Sequence, residues 1–104
     1  WLIAAAEDRG CRLVVDEQFI EFVPSESLAS MVQNHPSLIV LRSLGPFHAL
    51  TGLGADFGIM EKGLARTVGA RLVAANTLAQ RAAVTVLRDR AFRRETAELM
   101  KKEK

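Results

Sequence analysis

Two short, unbroken apolar runs constrain this chain more than anything else in it. Leu13–Val15 and Leu38–Leu41 are continuous hydrophobic stretches bounded by polar residues. A strand with one wet face alternates polar and apolar residues. An unbroken run predicts a strand covered on both faces, as in a parallel sheet. Between them, "VPSESLASMVQNHP" predicts a short helix, with Ser25 as N-cap and Leu28, Met31 and Val32 on one face. Asn34 and Pro36 close it. Strand, helix and strand make a βαβ unit, whose strands are parallel neighbours joined by a right-handed crossover.

The flanking segments extend the pattern. "WLIAAAEDRG" reads as the end of a helix that Gly10 terminates. "DFGIM" is a weaker third strand, and "EKGLARTVGARL" a short helix beginning near Glu61. From Asn76 onward a long C-terminal helix is expected, with Leu78, Ala82, Leu87 and Ala91 near helical spacing. The expected class is α/β, a parallel-stranded fragment that ends in a long helix. Residues 1–104 form a single partial domain on this reading. Because the chain starts directly on the apolar run Trp1–Ala6, it looks cut from something larger.

Charge and cysteine content narrow the function classes. A net charge of +2 is too small to imply a nucleic-acid or membrane partner by itself. The basic residues gather from Arg81 onward, eight against four acids, yet their signs alternate, which marks a solvated helix face. The single Cys11 allows no intramolecular disulfide and no multi-cysteine metal site. It fits a reducing, cytoplasmic setting and is expected as a small buried hydrophobe. No apolar run approaches the roughly 20 residues of a membrane span.

In parallel α/β sheets, ligands sit beyond the carboxyl ends of the strands. Asp16 lies at one such end, and Arg42 and Ser43 at another. Together they could hold a cationic ring nitrogen and a phosphate. From spacing alone the commoner reading is that Asp16 caps a turn and Ser43 satisfies local backbone. The glycines of "GLGADFG" do not make a dinucleotide fingerprint, because their spacing is wrong and a strand follows where a helix should. His35 and His48 have neither triad nor metal-ligand spacing and are expected in loops or at the surface.

Three phrases in order then carry a resemblance: "VVDEQFIEFVP", "IVLRSLGPFHALTGLGADFG" and "ANTLAQRAA". They resemble consecutive landmarks of the fold-type I pyridoxal-phosphate enzymes, within the class I/II aminotransferase superfamily. The nearest branch is the threonine-phosphate decarboxylases of cobalamin biosynthesis, beside the histidinol-phosphate aminotransferases. That branch favours Leu-Arg-Ser-Leu-Thr-Lys-Phe-Tyr-Ala and then Gly-Leu-Arg-Leu-Gly-Tyr. The likeness spans nearly the whole chain from about Ala4.

The resemblance implies roles for individual residues. Asp16 stands where the family aspartate pairs with the pyridine nitrogen of the cofactor. Phe19 stands where many members have a tyrosine bonding the ring hydroxyl, and Ser43 stands at a phosphate-binding serine. Pro46 occupies the position of the Schiff-base lysine, so no catalytic residue is carried over. Gly54 occupies that of the phosphate-clamping arginine, and Asp56 that of a glycine. Lys62 sits at the start of another element, poorly placed as a substitute. The ancestral activity would be transamination or α-decarboxylation of a phosphorylated amino compound. The cofactor-binding set Asp16, Phe19 and Ser43 is expected to be vestigial. Active members are dimers, which implies a homo-oligomer or a complementing chain. A non-catalytic oligomerising module is the alternative, since a sheet cut from a larger one exposes an edge.

Overall fold

The computed structural model describes residues 1–103. Its centre is a three-stranded sheet in the order β1-β2-β3, formed by β1 (Leu13–Asp16), β2 (Leu38–Ser43) and β3 (Asp56–Ile59). β1 and β2 are parallel, with Leu13 opposite Leu38 and Asp16 opposite Leu41. β3 runs antiparallel to β2, placing Ile59 opposite Val40 and Asp56 opposite Ser43. The sheet is therefore not parallel throughout. A parallel return needs a crossover long enough to carry the chain back along the strand. Residues 44–55 provide only the one-turn helix α2 (Gly45–His48), so the chain re-enters the sheet from the end it left.

The main buried cluster lies on one face of the sheet, and Leu44, Phe47, Ala55 and Ala79 are buried outside it. Leu38 and Val40 are fully buried and, as alternate residues of β2, point the same way. Val32 completes the buried cluster, with Ile3, Leu13, Val15, Leu28 and Ile59 packed around it. On the opposite face Val14 and Leu41 remain 54% and 42% exposed, so both-sided cover is not met among the described residues.

The link from β1 to β2 holds three 3-10 turns, Ile20–Phe22, Pro24–Glu26 and Ala29–Gln33, rather than an α-helix. Ser25 falls inside the second turn and caps nothing. Ser27 breaks the run with extended backbone (ψ 135°), and its Oγ accepts from the Ala29 N–H at 3.1 Å. Short polar side chains of this kind draw the backbone into local bonds and away from a regular helix.

The remaining helices follow their caps. α1 (Leu2–Asp8) ends at Gly10, whose φ of +63° lets its N–H reach the Glu7 carbonyl at 3.0 Å. Glu61 caps α3 (Lys62–Gly69), accepting from the Gly63 and Leu64 N–H groups at 2.7 and 2.9 Å. Those two bonds favour the ionised carboxyl and hold the Glu61 pKa below its ordinary value. The long C-terminal helix is two helices, α4 (Thr77–Arg88) and α5 (Arg90–Lys102). Asp89 parts them at ψ 82°, and its Oδ1 accepts from the Phe92 N–H at 2.9 Å. Within a helix that carboxylate would have no such donor, so the cap geometry prevails. No described helix is long and apolar enough to cross a membrane. Cys11, at the threshold of β1, is exposed rather than buried.

Candidate functional site

β1 and β2 deliver their last residues to the same end of the sheet, and β3 begins there. Neighbouring residues on a strand face opposite ways, so this end has two environments.

On one side lies a buried ion cluster. Glu17, only 6% exposed, continues the β1 ladder through its N–H to the Leu41 carbonyl at 2.7 Å. Its carboxylate accepts from the Leu28 N–H at 2.6 Å, Ser27 Oγ at 2.9 Å and Arg42 Nε at 3.2 Å. Arg42 also donates through Nη2 to Ser27 Oγ at 2.6 Å and lies 3.8 Å from Glu21. Arg93 approaches the other Glu21 oxygen at 3.8 Å. Arg42 thus points into a structural network on the core side of the sheet. Spacing alone did not single out Glu17. Its signal is positional: it follows Asp16, which pairs with Leu41, and so falls beside Arg42.

On the other side is a cleft of about 360 Å³. Ser43, Pro46, Thr51, Gly54 and Asp56 line it, with Gln18 reaching in from beyond β1. Ser43 Oγ accepts from the Gly45 N–H at 3.1 Å, which tightens the turn into α2. Pro46 sits in the first turn of α2, where the missing N–H leaves no bond unmade. α2 stops at Ala49 in the left-handed region, φ 54°, and Gly52 and Gly54 at φ 97° and 64° bring the chain round to β3. Asp56 contributes the only ionisable side chain among the cleft's lining residues. Its carboxylate makes no ion pair among the described residues.

The site residues expected from sequence are only partly brought together. Ser43, Pro46, Gly54 and Asp56 share the cleft wall. Asp16 lies at the neighbouring strand end, exposed, with Oδ1 accepting from the Gln18 N–H at 3.0 Å. Phe19, 57% exposed, lies outside the lining set, with its ring 6.5 Å from Phe22. Lys62 opens α3 and does not line the cleft. Pyridoxal phosphate, the group implied by the resemblance, does not fit this donor set. No lining residue carries an amine for its carbonyl or a cation for its phosphate, and the one charge present has the phosphate's own sign.

Two histidines complete the picture. His35 Nδ1 meets Glu7 Oε1 at 3.0 Å. His48, expected in a loop or at the surface, is buried at 7% exposure in α2. Its ring lies 5.1 Å from Phe47 and 5.7 Å from Phe92, and neither nitrogen has a hydrogen-bond partner. Desolvation lowers its pKa and Arg93 adds to this, while Glu21 and Asp89 oppose.

Comparison with known proteins bears on this frame. Residues 2–104 match the family profile described as aminotransferase class I and II. Threonine-phosphate decarboxylase of Pseudomonas aeruginosa is 38% identical over 89 residues, covering 84% of this chain and 27% of that protein. Histidinol-phosphate aminotransferase of Buchnera aphidicola subsp. Acyrthosiphon pisum is 38% identical over 56 residues, 54% of this chain and 15% of that one. The crystal structure of the histidinol-phosphate aminotransferase from Clostridium acetobutylicum superposes with a TM-score of 0.88 at 30% identity. It covers 98% of this chain, which spans 32% of that one. The chain therefore spans well under a third of the length of the curated relatives just named.

Proposed function

The chain belongs to the class I and II aminotransferase family, whose members depend on pyridoxal phosphate, and from that premise we propose that it is a catalytically inactive part of such an enzyme's large domain. The lineage is one of aminotransferases and decarboxylases acting on phosphorylated amino compounds, threonine-phosphate decarboxylase-like and so tied to cobalamin biosynthesis in the cytoplasm. The names of the relatives and the 84% coverage by the decarboxylase support that substrate class.

The observation that carries the inactivity is Pro46 on the cleft wall. Its ring nitrogen is an amide with no proton and no free pair to attack a carbonyl carbon. The covalent step that defines the family has no nucleophile here. Gly54 offers no side chain, so the bidentate contact an arginine makes to phosphate is missing as well. What remains, Asp16, Phe19 and Ser43, is a vestigial cofactor frame: a carboxylate, a ring and a hydroxyl, two of them engaged in local turns.

A pyridoxal-phosphate titration followed by visible absorbance, with borohydride trapping and peptide mapping, tests this. The expected result is no saturable band in a sample shown to be folded. A stoichiometric adduct on one lysine, Lys62 for example, overturns the inactive reading.

A second reading, a non-catalytic oligomerising module or one half of a complemented fold, is favoured by a specific surface. Leu72, Val73 and Leu78 are 68%, 96% and 65% exposed around the start of α4. A contiguous apolar patch formed by them would mark an interaction face. Sedimentation analysis separates the readings: a monodisperse oligomer supports the module, and a folded monomer speaks against it.

A further inference from the structure

We infer that α5 is an acid-released latch: neutral His48 holds the helix against α2, and protonation of its imidazole frees α5 to swing about Asp89. The inference does not depend on whether the chain binds a cofactor.

The joint permits such a movement. Asp89 (φ −79°, ψ 82°) leaves the helical region between α4 and α5, so neither helix must unwind for α5 to turn. α5 is also shallowly seated, with none of its residues buried. Two side chains near its start hold it. Phe92 lies 6.2 Å from the Phe47 ring and 5.7 Å from the His48 ring, and Arg93 approaches Glu21 at 3.8 Å. Further along, Ala97 and Met100 face Phe22, Val23 and Pro24 across a cavity of about 460 Å³.

His48 lies at the centre of this contact. It is buried against Phe47, and among the described residues neither ring nitrogen has a hydrogen-bond partner. An imidazolium carries two donors and a full charge, and burying it unpaired costs far more than burying the neutral ring. The charged groups around it do not repair this. Glu21, from the link between β1 and β2, is shared by Arg42 and Arg93, each at 3.8 Å. The Asp89 carboxylate accepts from the Phe92 N–H at 2.9 Å. Both acids favour the charged ring from a distance, whereas Arg93 opposes it and desolvation outweighs them all.

The ring therefore holds its proton less readily with the latch closed than with it open. Closure is fully favoured above the open-state pKa near 6.5 and weakens as pH falls toward the lower closed-state value. Between pH 7.5 and 5 the weakening has a ceiling of about thirtyfold, reached when the closed-state value lies below that range.

The test is amide hydrogen exchange of the intact chain at pH 7.5 and 5, at several low urea concentrations, read as protection factors. The α5 amides are expected to exchange faster than those of β2, through an opening that responds little to urea. Their protection should fall at least about threefold between the two pH values, within the ceiling set by linkage. In His48→Phe, and equally in the polar but non-titrating His48→Gln, that fall should vanish. Exchange of α5 and β2 by one common, urea-sensitive opening would overturn the inference. So would α5 protection that ignores pH, or a fall that persists in both variants and so belongs to the carboxylates.

Discussion

The two sides of one strand end invite comparison, because the residues that build them are immediate neighbours. Asp16 and Glu17 are adjacent, as are Arg42 and Ser43. Yet one of each pair enters a buried network and the other faces the cleft or solvent. In the network every charge has a partner, and Glu17 alone receives three hydrogen bonds. In the cleft the single charge has none among the described residues. The difference follows from burial. A buried charge is tolerated only when its neighbours satisfy it, so changing one member penalises the whole fold. A solvated cleft imposes no such penalty, and its side chains can be replaced without disturbing the sheet beneath them.

The largest expected effect breaks the comparison from the network side. Glu17→Ala leaves Arg42 half-buried without its main partner and strands the Leu28 N–H, and should cost about 3–5 kcal/mol. Urea unfolding monitored by circular dichroism measures it. A loss below about 1 kcal/mol would mean that the network is as dispensable as the cleft.

A smaller effect should come from His48, a buried side chain whose ring nitrogens have no hydrogen-bond partner among the described residues. Its folded pKa is lowered by desolvation, so the folded state disfavours protonation relative to the unfolded chain. The stability associated with neutral His48 is therefore fully present above its unfolded pKa near 6.5 and lost as pH falls through the lower folded value. Unfolding midpoints measured between pH 7.5 and 5 should decline for the native sequence and flatten in His48→Phe. A decline that persists unchanged in the variant would assign it to the carboxylates.

The smallest effect sharpens the comparison from the cleft side. Asp56→Asn should change folding stability by less than about 0.5 kcal/mol, as exposed substitutions do. The same urea measurement checks it against Glu17→Ala. Comparable losses at the two positions would erase the distinction between scaffold and cleft.

What could be read in advance follows the same division. The strands were legible from the apolar runs at Leu13–Val15 and Leu38–Leu41, although only alternate residues of those runs face the core and Val14 and Leu41 stay exposed. The direction of β3 was not, since it depends on how little chain α2 takes up. The split at Asp89 escaped notice because aspartate is tolerated inside a helix and preferred at its cap, and sequence spacing does not choose between them. Glu17 and His48 were missed for a common reason: one acquires its role from strand register, the other from the Phe47 and Phe92 rings closing over it. Family likeness assigned cofactor-site positions to Asp16, Phe19, Ser43, Pro46, Gly54 and Asp56, of which only the last four line the cleft; the spacing of Asp16 and Ser43 alone favoured local turn roles.

The exposed thiol of Cys11 has a practical consequence. It stands just before β1, at the opposite end of that strand from the cleft, and the chain has no other cysteine. A maleimide dye or spin label therefore attaches at a single address. Such a probe would report tumbling, self-association and unfolding from a position remote from the cleft.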